Sequence, residues 1–376
     1  MLRETPRSNL YSRVWRFVLF FVAASASFQG FYTQCHFHEV GISGGWEPTS
    51  FQRMVDGTAD RPYIYRQMLP EIANWIDSAT SQDVKDKWYR RQWSSSIGYI
   101  NAITVSPAAK NKVYFFRYVI FYGTTFLFTL LAVYSMYLVC NALEMPAISA
   151  VFAPIIVILI LPYFMNSYQG SGHFYDYPEL ALMSLAIWIT LKFDWWWAIP
   201  LVALGTWNKE SFLLVVLTLY PFIRRRHSRV ASLIGVAVLC GACLAVYYPI
   251  RLRFAHNPGS TLEMHWLDQL AFFTDRRALI LGTQETYGVR LINTFSVLPI
   301  ALLVWTVWRA WKKLPLAVKR HAQIAAAINI PLYFLFCAPG ELRDLSMLYV
   351  ALLLVVAVNL NEWIPGTEQT LPLQGA

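Results

Sequence analysis

Charged residues are scarce in this sequence. They make up 14% of its 376 residues, whereas hydrophobic residues make up 56%. A typical soluble domain has about a quarter of its residues charged. Long apolar segments recur from one end of the chain to the other. This composition excludes an ordinary soluble domain and predicts a single integral membrane domain over residues 1–376.

Cysteines and the common ligand-binding patterns are also sparse. The five cysteines are scattered, and Cys240 and Cys243 lie inside an apolar segment, so they form no disulfide framework. The glycine-rich pattern GxGxxG and the long Walker pattern of nucleotide-binding proteins are absent. The sequence therefore assigns no cofactor. The stretch HFHE (36–39), with His173 or Asp176 as a further ligand, leaves a divalent cation as an open alternative.

The net charge of +9 comes from basic residues that cluster beside apolar segments. The clusters lie within 3–16, 224–229 and 309–320. Basic residues that flank membrane spans favour the cytoplasmic side. We therefore expect all three clusters and both chain termini to be cytoplasmic, and we expect no nucleic-acid partner.

Run lengths and flanking polar residues predict an all-α, polytopic protein with about ten spans. The predicted spans are 15–33, 114–139, 147–165, 178–192, 195–207, 211–223, 230–249, 291–311, 322–337 and 345–361. Two long loops, 34–112 and 250–290, then lie outside the cytoplasm. The first loop contains two stretches, 66–77 and 82–93, whose mixed apolar and charged pattern predicts amphipathic helices along the membrane surface.

The stretch LGTWNKESFLL (204–214) interrupts an apolar region with Lys209 and Glu210. A single helix over 195–223 would be about 43 Å long, well beyond the roughly 30 Å hydrocarbon core. It would also place the later basic clusters outside the cytoplasm. We therefore predict two short segments that meet at WNKES in a water-filled cavity. A charge inside a membrane segment costs about 2.5–3.5 kcal/mol, so these two residues either pair for structure or serve function.

Several further ionisable residues would meet at this outer face. Such residues beside spans are candidates for function, although mutual pairing that holds helices together is the alternative. The candidates for binding an anionic substrate are Arg61, Tyr65, Arg66, His173, Asp176, Lys209, Glu210, Glu341 and Arg343. Tyr65 enters this set as an aromatic face for a sugar ring, although tyrosine is also common at membrane interfaces.

The overall plan resembles the GT-C class of integral membrane glycosyltransferases. One span is followed by a long outer loop, and EPTSFQRMVDGTADRPYIYRQMLP (47–70) is similar to the acidic-aromatic and PY…YR…LP pattern of that class. The resemblance implies sugar transfer from a polyprenyl-phosphate carrier at the extracytoplasmic face. It also implies an acidic catalytic residue in the first loop, matched here by Glu47 or Asp56. Glu39 is a third acidic candidate in the same loop.

The residue types suit this chemistry. A lipid phosphate is a good leaving group that needs cations, and the acceptor hydroxyl needs one carboxylate base. We expect an inverting glycosyltransferase in the bacterial plasma membrane, with a glycan, lipid or protein as acceptor. The alternatives are a transporter or flippase of lipid-linked glycans, a glycan polymerase or ligase, and a membrane scaffold without catalysis.

Overall fold

The computed structural model describes residues 6–40, 50–94, 111–165, 173–275, 283–286, 289–292, 297–339 and 341–363. Helices dominate these residues. Four of the described helices are long and apolar enough to cross a membrane, namely Ser12–Phe31, Lys112–Ala142, Arg229–Arg253 and Leu342–Trp363. The chain is therefore a helical membrane protein.

The described elements follow one another in this order: α1 (Pro6–Val40), α2 (Phe51–Val55), a 3-10 turn (Tyr63–Tyr65), α3 (Met68–Ala79), α4 (Gln82–Ser94), α5 (Lys112–Ala142), α6 (Ala147–Met165), α7 (Asp176–Lys192), a 3-10 turn (Trp195–Ala198), α8 (Ile199–Asn208), α9 (Phe212–Thr218), α10 (Tyr220–Ile223), α11 (Arg229–Arg253), α12 (Trp266–Thr274), β1 (Thr283–Thr286), β2 (Val289–Ile292), α13 (Val297–Trp311), α14 (Leu316–Phe336), a 3-10 segment (Leu342–Leu348) and α15 (Tyr349–Trp363).

A helix lies at each segment for which the sequence predicts a span. The two stretches of the first loop also form helices, since α3 and α4 cover nearly the predicted 66–77 and 82–93. Helix α3 buries Met68 and Leu69 against the bundle and leaves Trp75 exposed, in keeping with its amphipathic pattern. The prediction of an all-helical fold is confirmed, and the second loop adds one short antiparallel hairpin of β1 and β2.

Helix α7 is the central element of the bundle. Most of its side chains are buried, and α5 and α8 pack against it. Helices α1, α6 and α15 complete the surrounding layer. The first loop joins this core through Phe51, whose ring stacks on Phe121 at 4.2 Å and meets Phe174 edge-on at 5.7 Å. The first loop and the residues just before α7 are thereby fixed to the same helical core.

The helix break that the sequence predicts at WNKES is confirmed. Helix α8 ends at Asn208, Lys209 is extended with φ −155° and ψ 127°, and α9 begins at Phe212. A Cβ on Gly205 would lie 2.5 Å from the Phe212 ring, so glycine permits the close approach of the two short helices.

The chain also doubles back at this break. Nε2 of His227, beyond α10, lies 3.5 Å from Oδ1 of Asp194, which precedes α8. The far ends of the two arms therefore lie side by side. Helix α11 packs along both α8 and α9. The doubling back places the Lys209–Ser211 turn, hereafter the vertex, beside the start of α7.

Candidate functional site

A cavity of about 790 Å³ lies at the vertex. Its wall combines the turn around Tyr63–Arg66, the start of α7, the vertex itself and the outer end of α11. Residues 261–265 and the segment that links α14 to α15 complete it. Six stretches that are distant in sequence thus share one pocket.

Lys209 is at the centre of a buried ionic network. Its Nζ lies 2.9 Å from Oε2 of Glu179, 3.3 Å from Oδ1 of Asp176 and 3.5 Å from Oδ1 of Asp344. Only 4% of Lys209 is exposed. Burial by itself would lower the pKa of Lys209, but the three carboxylates raise the pKa well above its ordinary value. The lysine is therefore charged and its carboxylate partners are held in place.

Glu210 does not hold Lys209, contrary to the pairing that their adjacency suggests. Its carboxylate instead accepts two hydrogen bonds from Arg66 of the first loop, from Nε at 3.3 Å and from NH2 at 3.1 Å. Burial would raise the pKa of Glu210, but the guanidinium lowers it below the ordinary value. The adjacent charges Lys209 and Glu210 thus point to different partners and tie the vertex to α7 and to the first loop.

Arg343 is the second buried cation of the network. Its NH2 donates to Oε1 of Glu341 at 3.0 Å, while NH1 lies 3.6 Å from both Asp176 and Asp344. Neither Nε nor NH1 has a hydrogen-bond acceptor within the described part of the chain. Burial raises the pKa of Glu341, and the Arg343 guanidinium opposes that shift. A buried guanidinium with unused donors therefore faces the cavity.

Aromatic rings form one side of the cavity. The His173 ring stacks on Tyr175 at 4.9 Å, and the Arg66 guanidinium lies over the Tyr175 and Tyr63 rings at 4.3 and 5.0 Å. Tyr63 also donates its hydroxyl hydrogen bond to Glu263 at 3.4 Å. Burial, and next the Glu263 carboxylate, raise the pKa of Tyr63 above its ordinary value. The phenol therefore stays protonated and remains a donor.

The remaining wall is apolar. Leu213 and Leu214 contribute from α9, and Leu332 and Phe336 contribute from the end of α14. The ionic network and this apolar wall face the same space. The cavity therefore offers both charged and apolar surface to a ligand.

The structure brings most of the predicted binding residues together. The predicted residues that line the cavity are Tyr65, Arg66, His173, Lys209, Glu210, Glu341 and Arg343. Asp176 lies directly behind them, paired with Lys209 and Arg343. Arg61 is outside the cavity lining. Its guanidinium donates to the backbone oxygens of Ala255 and Gly259 and ties the segment before α3 to the segment after α11.

Asp56, the one predicted catalytic acid whose side chain the structure describes, is absent from the cavity lining. Asp56 ends α2 as an exposed residue, and its carboxylate accepts a hydrogen bond from the Tyr114 hydroxyl at 2.7 Å. Glu47 and the side chain of Glu39 lie outside the described residues, as do the side chains of His36 and His38. Among the described residues, no group of three histidine, cysteine or acidic side chains is arranged to hold a metal ion.

Sequence reasoning missed one acidic residue of the cavity. Glu263 lies between α11 and α12, and its contacts are the Tyr63 hydroxyl and, at 3.8 Å, Nε2 of His265. Unlike the carboxylates of the buried network, it has no arginine or lysine within salt-bridge distance in the described part of the chain. The sequence signal was weak: an acid and a histidine two positions apart in a loop.

Comparison with known proteins adds no assignment: no protein-family model, no curated protein and no solved structure matches this chain.

Proposed function

We propose that the chain is a glycosyltransferase of GT-C type, which transfers a sugar from a polyprenyl-phosphate carrier with inversion at the anomeric carbon. In this proposal the cavity at the vertex is the active site. It opens to the extracytoplasmic side of a bacterial plasma membrane, the chain crosses about ten times, and both termini are cytoplasmic. The acceptor is a glycan, a lipid or a protein.

The observation that carries the proposal is the state of Arg343. A guanidinium that is 4% exposed is costly to bury with unused donors, yet its Nε and NH1 have no acceptor among the described residues. Phosphate oxygens match the donor geometry of arginine and accept charge-assisted hydrogen bonds. A donor phosphate bound at Arg343 would satisfy these groups.

The apolar wall supports a lipid carrier rather than a soluble nucleotide sugar. Leu213, Leu214, Leu332 and Phe336 line the same cavity as Arg343. A polyprenyl chain would bury hydrocarbon against these side chains, at about 25 cal/mol for each Å² removed from water. A soluble sugar nucleotide would leave this wall without a partner.

Glu263 is the base in this mechanism. It takes the proton of the acceptor hydroxyl as the acceptor oxygen bonds to the anomeric carbon. The bond between that carbon and the phosphate oxygen breaks at the same time, and the polyprenyl phosphate leaves with its charge stabilised by Arg343. The Tyr63 hydroxyl orients the Glu263 carboxylate. Lys209 has a different role: it pairs with the buried carboxylates of Asp176, Glu179 and Asp344 and holds the cavity wall together.

The test uses the full-length protein in phosphatidylcholine vesicles with a panel of polyprenyl-phosphate sugars as donors and a panel of glycans, lipids and peptides as acceptors. It measures the release of polyprenyl phosphate together with the glycosylated acceptor. Glu263→Gln should abolish release and leave donor binding intact. Asp56→Asn and Glu47→Gln belong to the same series, because the resemblance assigns the acid to one of them. Asp83→Asn, which changes an exposed carboxylate on α4, is the matched control.

Two outcomes would contradict the proposal. In the first, Glu263→Gln turns over at the wild-type rate while Glu47→Gln or Asp56→Asn loses turnover. The general base would then be an acid of the first loop. Movement of the intact donor across the vesicle membrane, with no cleavage by the wild-type protein, would favour a transporter.

A further inference from the structure

A second cavity lies at the other end of the bundle, between α1 and α5, and has a volume of about 720 Å³. Helix α1 contributes Arg13, Arg16, Phe17 and Phe20, and helix α5 contributes Leu127, Leu130, Leu131, Tyr134 and Tyr137. Each set follows the i, i+3, i+4, i+7 spacing of one helix face. Two helix faces therefore oppose each other to form a groove, hereafter the α1–α5 groove.

The two helices run antiparallel along the groove. The Phe20 ring lies 5.5 Å from the Tyr137 ring, and the next residue, Phe21, has its ring 5.6 Å from that of Phe126. A step forward along α1 therefore corresponds to a position about three turns earlier along α5. The arginines of α1 and the tyrosines of α5 consequently share one end of the groove. Leucines of α5 occupy the other end.

The polar end is built for an anion. The Arg16 guanidinium donates to the Tyr137 hydroxyl and lies over the Tyr137 ring at 4.8 Å, so it is already oriented. Arg13, one turn earlier, lines the same groove. Among the described residues that line the groove, none carries a carboxylate. The two positive charges are therefore not neutralised within the groove.

The groove has the length of one membrane leaflet. From Leu127 to Tyr137 it extends over ten residues, roughly 15 Å at 1.5 Å per residue. Half of the roughly 30 Å hydrocarbon core is about the same length. A charged end at the interface and an apolar end near the middle of the bilayer match the headgroup and one acyl chain of a phospholipid.

We propose that the α1–α5 groove binds an anionic phospholipid, with the phosphate at Arg13 and Arg16 and an acyl chain against the leucines of α5. Basic pockets between membrane helices bind anionic headgroups by the same chemistry. This site is separate from the cavity at the vertex and does not depend on the proposed transferase activity.

Native mass spectrometry of the full-length protein with phosphatidylglycerol or phosphatidylcholine of equal chain length tests the proposal. Wild-type protein should retain phosphatidylglycerol preferentially. The double variant Arg13→Gln/Arg16→Gln should bind phosphatidylglycerol roughly thirtyfold more weakly, since each arginine strengthens binding by a factor of about five to six. The matched control is Arg225→Gln/Arg226→Gln, which removes two charges from another basic cluster and should leave the preference unchanged.

Single variants separate binding from folding. Arg13→Gln keeps the Arg16–Tyr137 contact, and it should lower phosphatidylglycerol affinity without shifting the thermal unfolding midpoint in phosphatidylcholine. Leu130→Trp should exclude the acyl chain and weaken the binding of both lipids. Equal retention of the two lipids by the wild-type protein, or an unchanged preference in the double variant, would overturn the proposal. So would a wild-type dimer that Leu130→Trp dissociates, because a second copy of the chain would then occupy the groove.

Discussion

Among the charges that lie beside apolar helices in the described part of the chain, two groups differ in ways that separate binding from bracing. At the vertex, Lys209 and Arg343 are almost fully buried among Asp176, Glu179 and Asp344. At the junction of α13 and α15, Arg309 and Lys313 surround one carboxylate, Glu362, at 2.9 and 2.5 Å. The second group is partly exposed and joins two neighbouring helices.

The comparison shows that a charge beside a span is not by itself a sign of function. The α13–α15 group is explained by helix packing, since Asn359 donates to the Thr306 backbone oxygen at 3.0 Å in the same interface. The vertex group has unused guanidinium donors and faces a cavity. Burial, unsatisfied donors and adjacent space are together what favour a binding role.

The largest expected effect is on stability at the vertex. Lys209→Met leaves three buried carboxylates without their shared cation, and removal of one partner of a buried pair costs about 3–5 kcal/mol. The thermal unfolding midpoint in detergent should fall sharply. The matched control, Lys313→Met, removes a lysine whose side chain is 55% exposed and should lower the midpoint only slightly.

A second substitution sharpens the Lys209 prediction. Adding Glu179→Gln to Lys209→Met removes one of the unpaired carboxylates, so the double variant should be more stable than Lys209→Met alone. If the effects of Lys209→Met and Glu179→Gln on the unfolding midpoint are additive, the two residues do not interact, and the buried network is not what stabilises the vertex.

The next effect is on ligand binding. Arg343→Lys keeps the charge but loses the planar fork that matches a phosphate, so affinity for a polyprenyl phosphate should fall about tenfold. Isothermal titration calorimetry in detergent measures this affinity. Arg309→Lys makes the same change in the α13–α15 group and should have no effect on affinity. Equal losses in both variants would contradict a specific role for the vertex.

The third effect depends on pH. Arg66 lowers the folded-state pKa of Glu210. The pair therefore stabilises the protein fully at a pH above the unfolded-state pKa of 4.5. This contribution is lost as the pH falls through the lower folded-state pKa. The unfolding midpoint of wild-type protein should therefore drop more steeply below pH 4.5 than that of Glu210→Gln. Parallel pH profiles would show that the pair contributes no stability.

The smallest effect is expected at Glu362. Glu362→Gln breaks two partly exposed ion pairs, which typically contribute about 0.2–1 kcal/mol each. Its effect on the unfolding midpoint should shrink as salt is added, because exposed pairs are screened. A destabilisation as large as that of Lys209→Met would remove the distinction between the two groups.

The elements of the fold were largely predictable from local pattern. Apolar run length predicted a helix at each proposed span, and helix length against membrane thickness predicted the break at WNKES. The hairpin of β1 and β2 was not predicted, because its eight residues carry no long apolar run. The number of spans stays a prediction, since four of the described helices are long and apolar enough to cross by length and composition.

The partners of the charges were less predictable. Adjacency suggested that Glu210 holds Lys209, whereas the extended backbone at Lys209 sends the two side chains to different elements. Glu263 went unnoticed because nothing near it in sequence indicates that its loop returns over Tyr63. Asp56 matched the acidic position of the GT-C pattern that the sequence resembles, yet it caps α2 beside Tyr114 and is absent from the cavity lining.

The sequence by itself determined that this protein is a helical membrane protein and that its chain breaks at Lys209, because hydrophobicity and helix length act over neighbouring residues. The tertiary structure alone decided which acid meets which base and which donors remain unused, because most of those contacts join positions that are distant in the chain. Lys209 and Glu179 are 30 residues apart, and Arg66 and Glu210 are 144 residues apart. Arg66 meets Glu210, and Lys209 meets Asp344, only after the bundle has packed.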